Sequence, residues 1–134
     1  MNKGQLERRI VEYKESLRSM DTDRWLGEFA EDAAVEDPVG GPVIKGHEKL
    51  RAFFEQTRKV FKVLDLKVDF AVIIPPEAVV KWTTLGVTHS GLEITLQGIG
   101  MYKFREDGKL LEMRSFFDQK EVARQFMAPS TGQG

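Results

Sequence analysis

Apolar residues in the first part of the chain follow the period of a helix. They recur at steps of three and four residues, at Leu6, Ile10, Tyr13 and Leu17. This spacing predicts an amphipathic first helix that carries Tyr13 on its apolar face. A second, short helix is predicted to begin at an aspartate cap over residues 21–23. It would turn Trp25, Leu26 and Phe29 inward.

A short strand and a third helix are predicted next. Residues 33–37 alternate as a strand, which Pro38 and the following Gly40-Gly41-Pro42 turn bring to an end. A third helix is expected after Gly46. Its buried stripe would be formed by Leu50, Phe53, Phe54 and Thr57.

From about Phe61 the hydrophobic period changes from 3.6 to 2, which is typical of strands. The buried face of the first long strand is expected to carry Leu64, Leu66, Val68, Phe70, Val72 and Ile74. Three more strands are predicted over residues 78–89, 92–105 and 109–119, with glycine-containing turns between them. A short helix over residues 121–127 completes the pattern.

This order of elements indicates the fold class. Helices first and a meander of long strands afterwards favour an α+β fold with segregated layers. We expect three N-terminal helices packed in a curved, mostly antiparallel sheet that encloses a pocket. The 134 residues suit one domain over residues 1–128, followed by a disordered tail over residues 129–134.

Composition narrows the possible functions. The formal net charge is -1, which is too little positive charge for a dedicated nucleic-acid binder. The chain contains no cysteine, which excludes disulfides, thiol nucleophiles and thiolate-bound metals. Two isolated histidines, His47 and His89, form no metal-ligand cluster, so no metal site is expected. The charged N-terminus and the lack of a long apolar run predict a cytoplasmic protein without a membrane partner.

Asp37 is the first candidate for chemistry. Strand alternation places Val35 and Asp37 on one face, so an inward Val35 implies an inward Asp37. An apolar environment disfavours the charged carboxylate and raises its pKa toward the range that suits proton transfer. The alternative is a turn aspartate that caps the backbone of the following loop.

Tyr13 is the second candidate. A tyrosine on the buried face of a helix carries a hydroxyl that needs a partner. In a cavity, that hydroxyl could donate a hydrogen bond to a ligand oxygen that gains negative charge during a reaction. The alternative is a core tyrosine that is bonded to the protein itself.

Longer segments of the chain resemble a known family. Residues 29–40, FAEDAAVEDPVG, are similar almost residue for residue to a segment of bacterial Δ5-3-ketosteroid isomerases. Residues 108–117, GKLLEMRSFF, and the helix after Gly46 also resemble this family. Tyr13 lies 24 positions before Asp37, the separation of the oxyanion-hole tyrosine and the catalytic aspartate in that family. The family belongs to the nuclear transport factor 2-like (SnoaL-like) superfamily.

The resemblance implies a fold, a mechanism and an assembly. The fold would be a conical α+β barrel with a deep apolar cavity, dimeric through the outer face of the sheet. Asp37 would be the general base that removes a proton next to a carbonyl and returns it at a distant carbon. Tyr13 would donate a hydrogen bond to the dienolate oxygen.

The chain departs from this family at Gly100. Relatives carry a protonated aspartic acid there as a second oxyanion donor, and glycine has no side chain to donate. Losing one such donor costs about 100- to 1000-fold in rate. A water, Ser115, Tyr102 or Thr83 replaces the donor, or the reaction is different. Gly98 and Gly100 together are also expected to enlarge the pocket.

The remaining expectations concern the cavity lining and the outer face of the sheet. The expected substrate-binding residues are Phe53, Phe54, Thr83, Leu85, Leu96, Gly100, Tyr102, Met113, Ser115 and Phe117. The apolar residues expected on the outer face are Trp82, Ile99, Met101 and Phe116. An apolar patch of this kind indicates a partner surface, and a homodimer is the simplest interpretation.

The sequence therefore predicts a steroid delta-isomerase-like enzyme, with Asp37 and Tyr13 as its catalytic residues. Its substrate would be a bulky apolar carbonyl compound, steroid-like or polyketide-like, handled without a metal or organic cofactor. One alternative is a dehydratase, cyclase or epoxide hydrolase that uses the same cavity. Another is a protein that binds a hydrophobic ligand without turnover.

Overall fold

The structure is a computed structural model, and it describes residues 1–128. The tail over residues 129–134, predicted to be disordered, lies outside the described residues. The helices are α1 Lys3–Ser19, α2 Thr22–Leu26, α3 His47–Val60 and α4 Gln119–Met127. The strands are β1 Phe29–Glu36, β2 Val43–Lys45, β3 Phe61–Ile74, β4 Glu77–Thr88, β5 Glu93–Phe104 and β6 Leu110–Phe116.

The six strands form one sheet in the order β2-β1-β6-β5-β4-β3. All neighbouring strands are antiparallel except β1 and β6, which are parallel. Helices α1, α2 and α3 pack on the inner side of this curved, mixed sheet and bury Leu6, Trp25, Leu50 and Phe54. The α+β class, with three N-terminal helices against a mostly antiparallel sheet, is confirmed.

Local sequence features explain where the helices begin. Asn2 and Gln5 form a capping box at the start of α1, each side chain bonding the backbone N–H of the other. Asp21 caps α2 by accepting a hydrogen bond from the backbone N–H of Arg24, which agrees with the aspartate cap predicted from the sequence. Gly46 precedes α3 with a positive φ of 88°, a conformation that favours glycine.

At the first strand, one local prediction was wrong and one element was missed. Phe29 begins β1 and does not belong to α2, although it is buried as expected. The short strand β2, which pairs with the end of β1, was not predicted. It comprises three residues, too few for alternation to be recognised.

The long strand β3 contains an irregularity that reverses the second half of its predicted pattern. Val68 pairs with Trp82 and Phe70 pairs with Lys81, so Asp69 is an extra residue in the strand. Such a bulge turns the following side chains to the other face, because successive strand residues alternate. The residues predicted to be buried after it, Phe70, Val72 and Ile74, are 61%, 57% and 73% exposed.

The prediction for β4 had the wrong face inward. Ala78, Val80 and Trp82 are buried in the hydrophobic core, and Trp82 is 5% exposed. Trp82 therefore belongs to the interior, although it was expected on the outer face. Ile99, Met101 and Phe116 do lie exposed on the outer face, at 41%, 37% and 40%.

Candidate active site

The backbone around Asp37 is held in place from both sides. On one side, Glu36 accepts a hydrogen bond from Arg114 of β6, with 2.8 Å between Glu36 Oε1 and Arg114 Nε. On the other side, the backbone N–H of Val39 donates to the carbonyl oxygen of Ser115 at 2.8 Å. Because Glu36 is held on the outer side, alternation turns the Asp37 side chain inward.

Asp37 and Tyr13 both line one cavity inside the sheet. Tyr13 is buried on the inner face of α1, where its ring meets Phe29 and Tyr102 edge-on. The centroid distances are 6.1 Å to Phe29 and 5.9 Å to Tyr102. Asp37 keeps some accessible surface because its carboxylate borders the cavity.

Burial sets the protonation states at this end of the cavity. It raises the pKa of Asp37 to about 6, and the neighbouring Ser115 hydroxyl partly opposes the shift. Burial also raises the pKa of Tyr13 well above its usual value, and Tyr102 and Asp37 add to the shift. The pKa of Tyr102 is raised by burial and by the charge of Asp37. Near neutral pH the site therefore combines a carboxylate with two phenols that keep their protons.

Tyr102 occupies the space that Gly100 leaves open. A Cβ atom at Gly100 would lie 2.6 Å from Tyr102 Cε2 and 2.7 Å from the Tyr102 hydroxyl oxygen. The ring of Trp82 fills the space beside Gly98 in the same way. The prediction that these two glycines enlarge the pocket is therefore wrong, since aromatic side chains take their place.

The cavity has a volume of about 320 Å³ and a largely apolar wall. This volume is at the lower end of the range for sites that hold one small molecule. Of the residues expected to bind substrate, those that line it are Phe53, Phe54, Leu96, Tyr102, Met113, Ser115 and Phe117.

Three residues expected in the lining are not part of it. Thr83 and Leu85 lie on the outer face of β4, where the Thr83 hydroxyl donates to Asp69 at 2.7 Å. Gly100 faces inward, but the Tyr102 side chain covers it. Thr83 is consequently too remote to replace the missing oxyanion donor.

Part of the cavity wall was not predicted from the sequence. The lining residues that it did not assign to the site include Trp25, Leu66, Trp82, Thr84 and Ile94. Lys81 could have corrected the prediction for β4. A lysine is expected to face solvent, so its strand neighbours at positions 82 and 84 face the interior.

Helix α4 borders the cavity with Gln119 and Val122. The side chain of Gln125 fastens this helix to β5. It accepts from the Thr95 backbone N–H at 2.8 Å and donates to the Thr95 carbonyl at 2.7 Å.

Within residues 1–128 no three histidine, aspartate or glutamate side chains gather closely enough to bind a metal ion. None of the helices described is both long and apolar enough to span a bilayer.

Solved structures share this fold over most of their length. The epoxide hydrolase/cyclase-like enzyme SalBIII, with a role in pyran ring formation in the polyether salinomycin, has a TM-score of 0.80 at 18% identity. The match covers 90% of this chain and 95% of that enzyme. A candidate polyketide cyclase from Xanthomonas campestris has a TM-score of 0.80 at 18% identity, covering 93% and 99% of the two chains.

A third similar structure is the protein RV0760c from Mycobacterium tuberculosis. It has a TM-score of 0.80 at 19% identity, over 90% of this chain and 96% of that protein. The same protein has also been solved in complex with estradiol-17β-hemisuccinate, and that structure has a TM-score of 0.76 at 20% identity. At these identities the likeness establishes the shared fold.

The family is established by the sequence itself. The model of the SnoaL-like domain matches residues 10–113, a span that begins within α1 and ends within β6. It contains Tyr13, Asp37 and Tyr102. The nuclear transport factor 2-like fold predicted from the sequence is thereby confirmed, and the chain belongs to the SnoaL-like domain family.

Proposed function

We propose that this protein is a cofactor-independent enzyme that moves a proton on a bulky apolar carbonyl compound, as ketosteroid isomerases do. One observation carries the proposal: a carboxylate whose pKa is about 6 and two protonated phenols border the same apolar cavity. A base with a pKa near the working pH combines ionisation with useful proton affinity.

Each group has one role in this reaction. The Asp37 carboxylate removes a proton from the carbon between the carbonyl and the double bond of a β,γ-unsaturated ketone. The electron pair of the broken C–H bond moves onto the carbonyl oxygen, and Tyr13 donates a hydrogen bond to the resulting dienolate. Asp37 then returns the proton at the γ carbon, which leaves a conjugated ketone and regenerates the carboxylate.

The cavity wall favours this chemistry. Phe54 and Met113 contribute apolar surface to the cavity, and Asp37 itself is largely buried. In such an environment a hydrogen bond to a developing charge is stronger than in water. The estradiol-17β-hemisuccinate complex of the similar Mycobacterium tuberculosis protein supports a steroid-like ligand.

The likeness to SalBIII favours a second candidate, an epoxide hydrolase or cyclase activity on a polyketide-like substrate. Asp37 would then deprotonate a hydroxyl or a water that attacks an electrophilic carbon. The C–O bond of the epoxide would break while Tyr13 donates a hydrogen bond to the departing oxygen, and that oxygen would finally take up the proton that Asp37 removed. The two candidates share their residues and differ in the substrate that is turned over.

The decisive experiment is an isomerisation assay on a β,γ-unsaturated ketosteroid, followed by the ultraviolet absorbance of the conjugated product. We expect Asp37→Asn to lower kcat by at least about 100-fold, the usual contribution of a general base. We expect kcat/KM of the natural protein to rise with pH through a midpoint of about 6, because only the ionised Asp37 accepts a proton.

The matched control is Asp32→Asn, which removes an exposed carboxylate from the same strand. It should retain the activity of the natural protein. Equal activity in Asp37→Asn would overturn the role of Asp37. Tight steroid binding without turnover in both proteins would instead favour a ligand-binding protein.

We also propose that the protein forms a homodimer through the outer face of the sheet. Exposed apolar residues from four strands lie there, at Phe70, Val72, Val79, Ile99, Met101 and Phe116. Lys81, Asp69 and Arg114 bring charges of both signs to the same face, so a second copy related by a two-fold axis can match them.

A further inference from the structure

We propose that the hydroxyl of Tyr102 is a second hydrogen-bond donor to the substrate oxygen, and that Gly100 is required because a larger residue would expel this hydroxyl. The inference rests on the proposed function and extends it. Relatives carry an aspartic acid at the position of Gly100. The phenol of Tyr102, two residues further along the strand, would take the place of that acid.

Gly100 and Tyr102 both belong to strand β5. Gly100 and Tyr102 lie two positions apart and therefore share the inner face. The Tyr102 side chain folds back along the strand, because the space of a Cβ at position 100 is already occupied by its ring and hydroxyl. The three nearest Tyr102 atoms would lie 2.6 to 2.8 Å from that Cβ, closer than nonbonded carbon atoms approach.

The Tyr102 side chain borders the same cavity as Tyr13 and Asp37. Tyr102 and Tyr13 meet edge-on with centroids 5.9 Å apart, and both side chains line the cavity. Asp37 lines the same cavity as both phenols, and its charge contributes to raising the pKa of each. A carbonyl oxygen placed at this end of the cavity can therefore accept from two phenols while Asp37 faces the adjacent carbon.

The other replacements weighed for the acid fit less well. Thr83 lies on the outer face and donates to Asp69. The Ser115 hydroxyl stands beside Asp37 and favours its charged form, so it acts on the base. The Tyr102 hydroxyl oxygen lies 2.7 Å from the place that a Cβ of residue 100 would take, so this donor occupies the position of the missing acid.

The assignment also fits the chemistry of the intermediate. A dienolate carries negative charge on oxygen, and a neutral phenol stabilises it by donating a hydrogen bond without losing its proton. Burial keeps both phenols neutral at physiological pH. Two such donors would share one oxygen, as two lone pairs allow.

The test uses ligand binding, so that it does not depend on turnover. The probe is 2-naphtholate, an aromatic oxyanion whose fluorescence reports its binding. The background is Asp37→Asn, because a neutral amide stands in for the protonated Asp37 that faces the dienolate. In that background we expect Tyr102→Phe and Tyr13→Phe each to weaken 2-naphtholate binding by about 10- to 100-fold, the range for hydrogen bonds to a charged acceptor.

Gly100→Ala supplies an independent test of the geometry. Its Cβ would push the Tyr102 hydroxyl aside and should weaken 2-naphtholate binding about as much as Tyr102→Phe. Combining the two changes should add little, because both remove the same hydrogen bond. Thr83→Val is the control: it removes a hydroxyl from the outer face of the sheet and should leave binding unchanged.

The outcomes separate this inference from the proposed function. Unchanged 2-naphtholate affinity in Tyr102→Phe, with a loss in Tyr13→Phe, would overturn the role of Tyr102 alone. Losses in both variants, together with no isomerisation by the natural protein, would uphold the two donors and overturn the proposed reaction. Additive losses in Gly100→Ala and Tyr102→Phe would show that Gly100 does not act through Tyr102.

Discussion

At the scale of single residues, Asp37 illustrates a conflict between activity and stability. Its carboxylate lies where burial disfavours charge, and its pKa rises from 3.8 to about 6. The folded protein therefore binds a proton at Asp37 more tightly than the unfolded chain does. This contribution to stability is complete below the unfolded-state pKa and is lost as the pH rises through about 6.

We accordingly expect Asp37→Asn to stabilise the protein near pH 7.5. The shift corresponds to at most about 3 kcal/mol at 1.36 kcal/mol per pKa unit. The free energy of unfolding in urea should be compared between the natural protein and the variant at pH 7.5 and at pH 3.5. The advantage of the variant should shrink at the lower pH, where Asp37 is protonated in the folded state and mostly protonated in the unfolded state. A stability difference that is independent of pH would contradict this explanation.

The sequence predicted the positions of Tyr13 and Asp37 but not the contact between Gly100 and Tyr102. Helical spacing placed Tyr13 on the buried face of α1, and alternation from Val35 turned Asp37 inward. The relation between Gly100 and Tyr102 could not be predicted in this way. Alternation assigns both residues to one face, but it does not say that the longer side chain folds back over the shorter one.

At the scale of elements, three glycines on the inner face of the sheet each accommodate an aromatic ring. A Cβ at Gly86 would lie 2.7 Å from Phe61, and the corresponding neighbours of Gly98 and Gly100 are Trp82 and Tyr102. These rings protect strand glycines that would otherwise lack packing partners. Because these positions carry no side chain, the neighbouring aromatic rings form the cavity wall there.

The bulge at Asp69 explains why alternation failed in the second half of β3. The apolar residues continue with period 2 on both sides of Asp69, so the sequence shows no change of phase. Lys81 donates to Asp69 Oδ2 at 2.8 Å, and the Thr83 hydroxyl donates to the same oxygen at 2.7 Å. These partners come from the neighbouring strand, which the sequence of β3 alone does not contain.

We expect Asp69→Asn to destabilise the fold modestly at neutral pH. The bond to Lys81 and then the bond to Thr83 lower the pKa of Asp69, so its contribution is present at neutral pH and is lost as the pH falls through the lowered value. The urea midpoint of Asp69→Asn should therefore be lower than that of the natural protein at pH 7.

Asp65→Asn, which changes another aspartate of β3, is the matched control for this comparison. It should shift the urea midpoint less than Asp69→Asn does. Equal shifts in the two variants would contradict a specific role for the bulge contacts. Raising the salt concentration should reduce the effect at Asp69, because part of it is an ion pair.

At the scale of the whole molecule, the outer face of the sheet governs assembly. We expect Phe70→Lys to convert a dimer into a monomer in sedimentation velocity experiments, because a lysine in an apolar interface leaves its charge unpaired. Val11→Lys is the control: Val11 is 56% exposed on α1, away from the sheet. A natural protein that sediments as a monomer at micromolar concentration would contradict the dimer.

The dimer prediction and the fold prediction had different foundations. The order of elements was sufficient to predict the α+β class. When helices are followed by long strands, there are few ways to bury the apolar faces of both the helices and the sheet. The composition of the outer face was predicted only in part. Ile99, Met101 and Phe116 were expected there, whereas Phe70 and Val72 reach it only through the extra residue in β3.

The bulge at Asp69 has a consequence for how the protein behaves at different concentrations. β3 is an edge strand, and its last apolar residues face water in a single copy. If a second copy covers them, dilution removes that protection, so the melting temperature should fall as the protein is diluted. Dilute protein would also present an uncovered strand edge, the kind of surface from which aggregation starts.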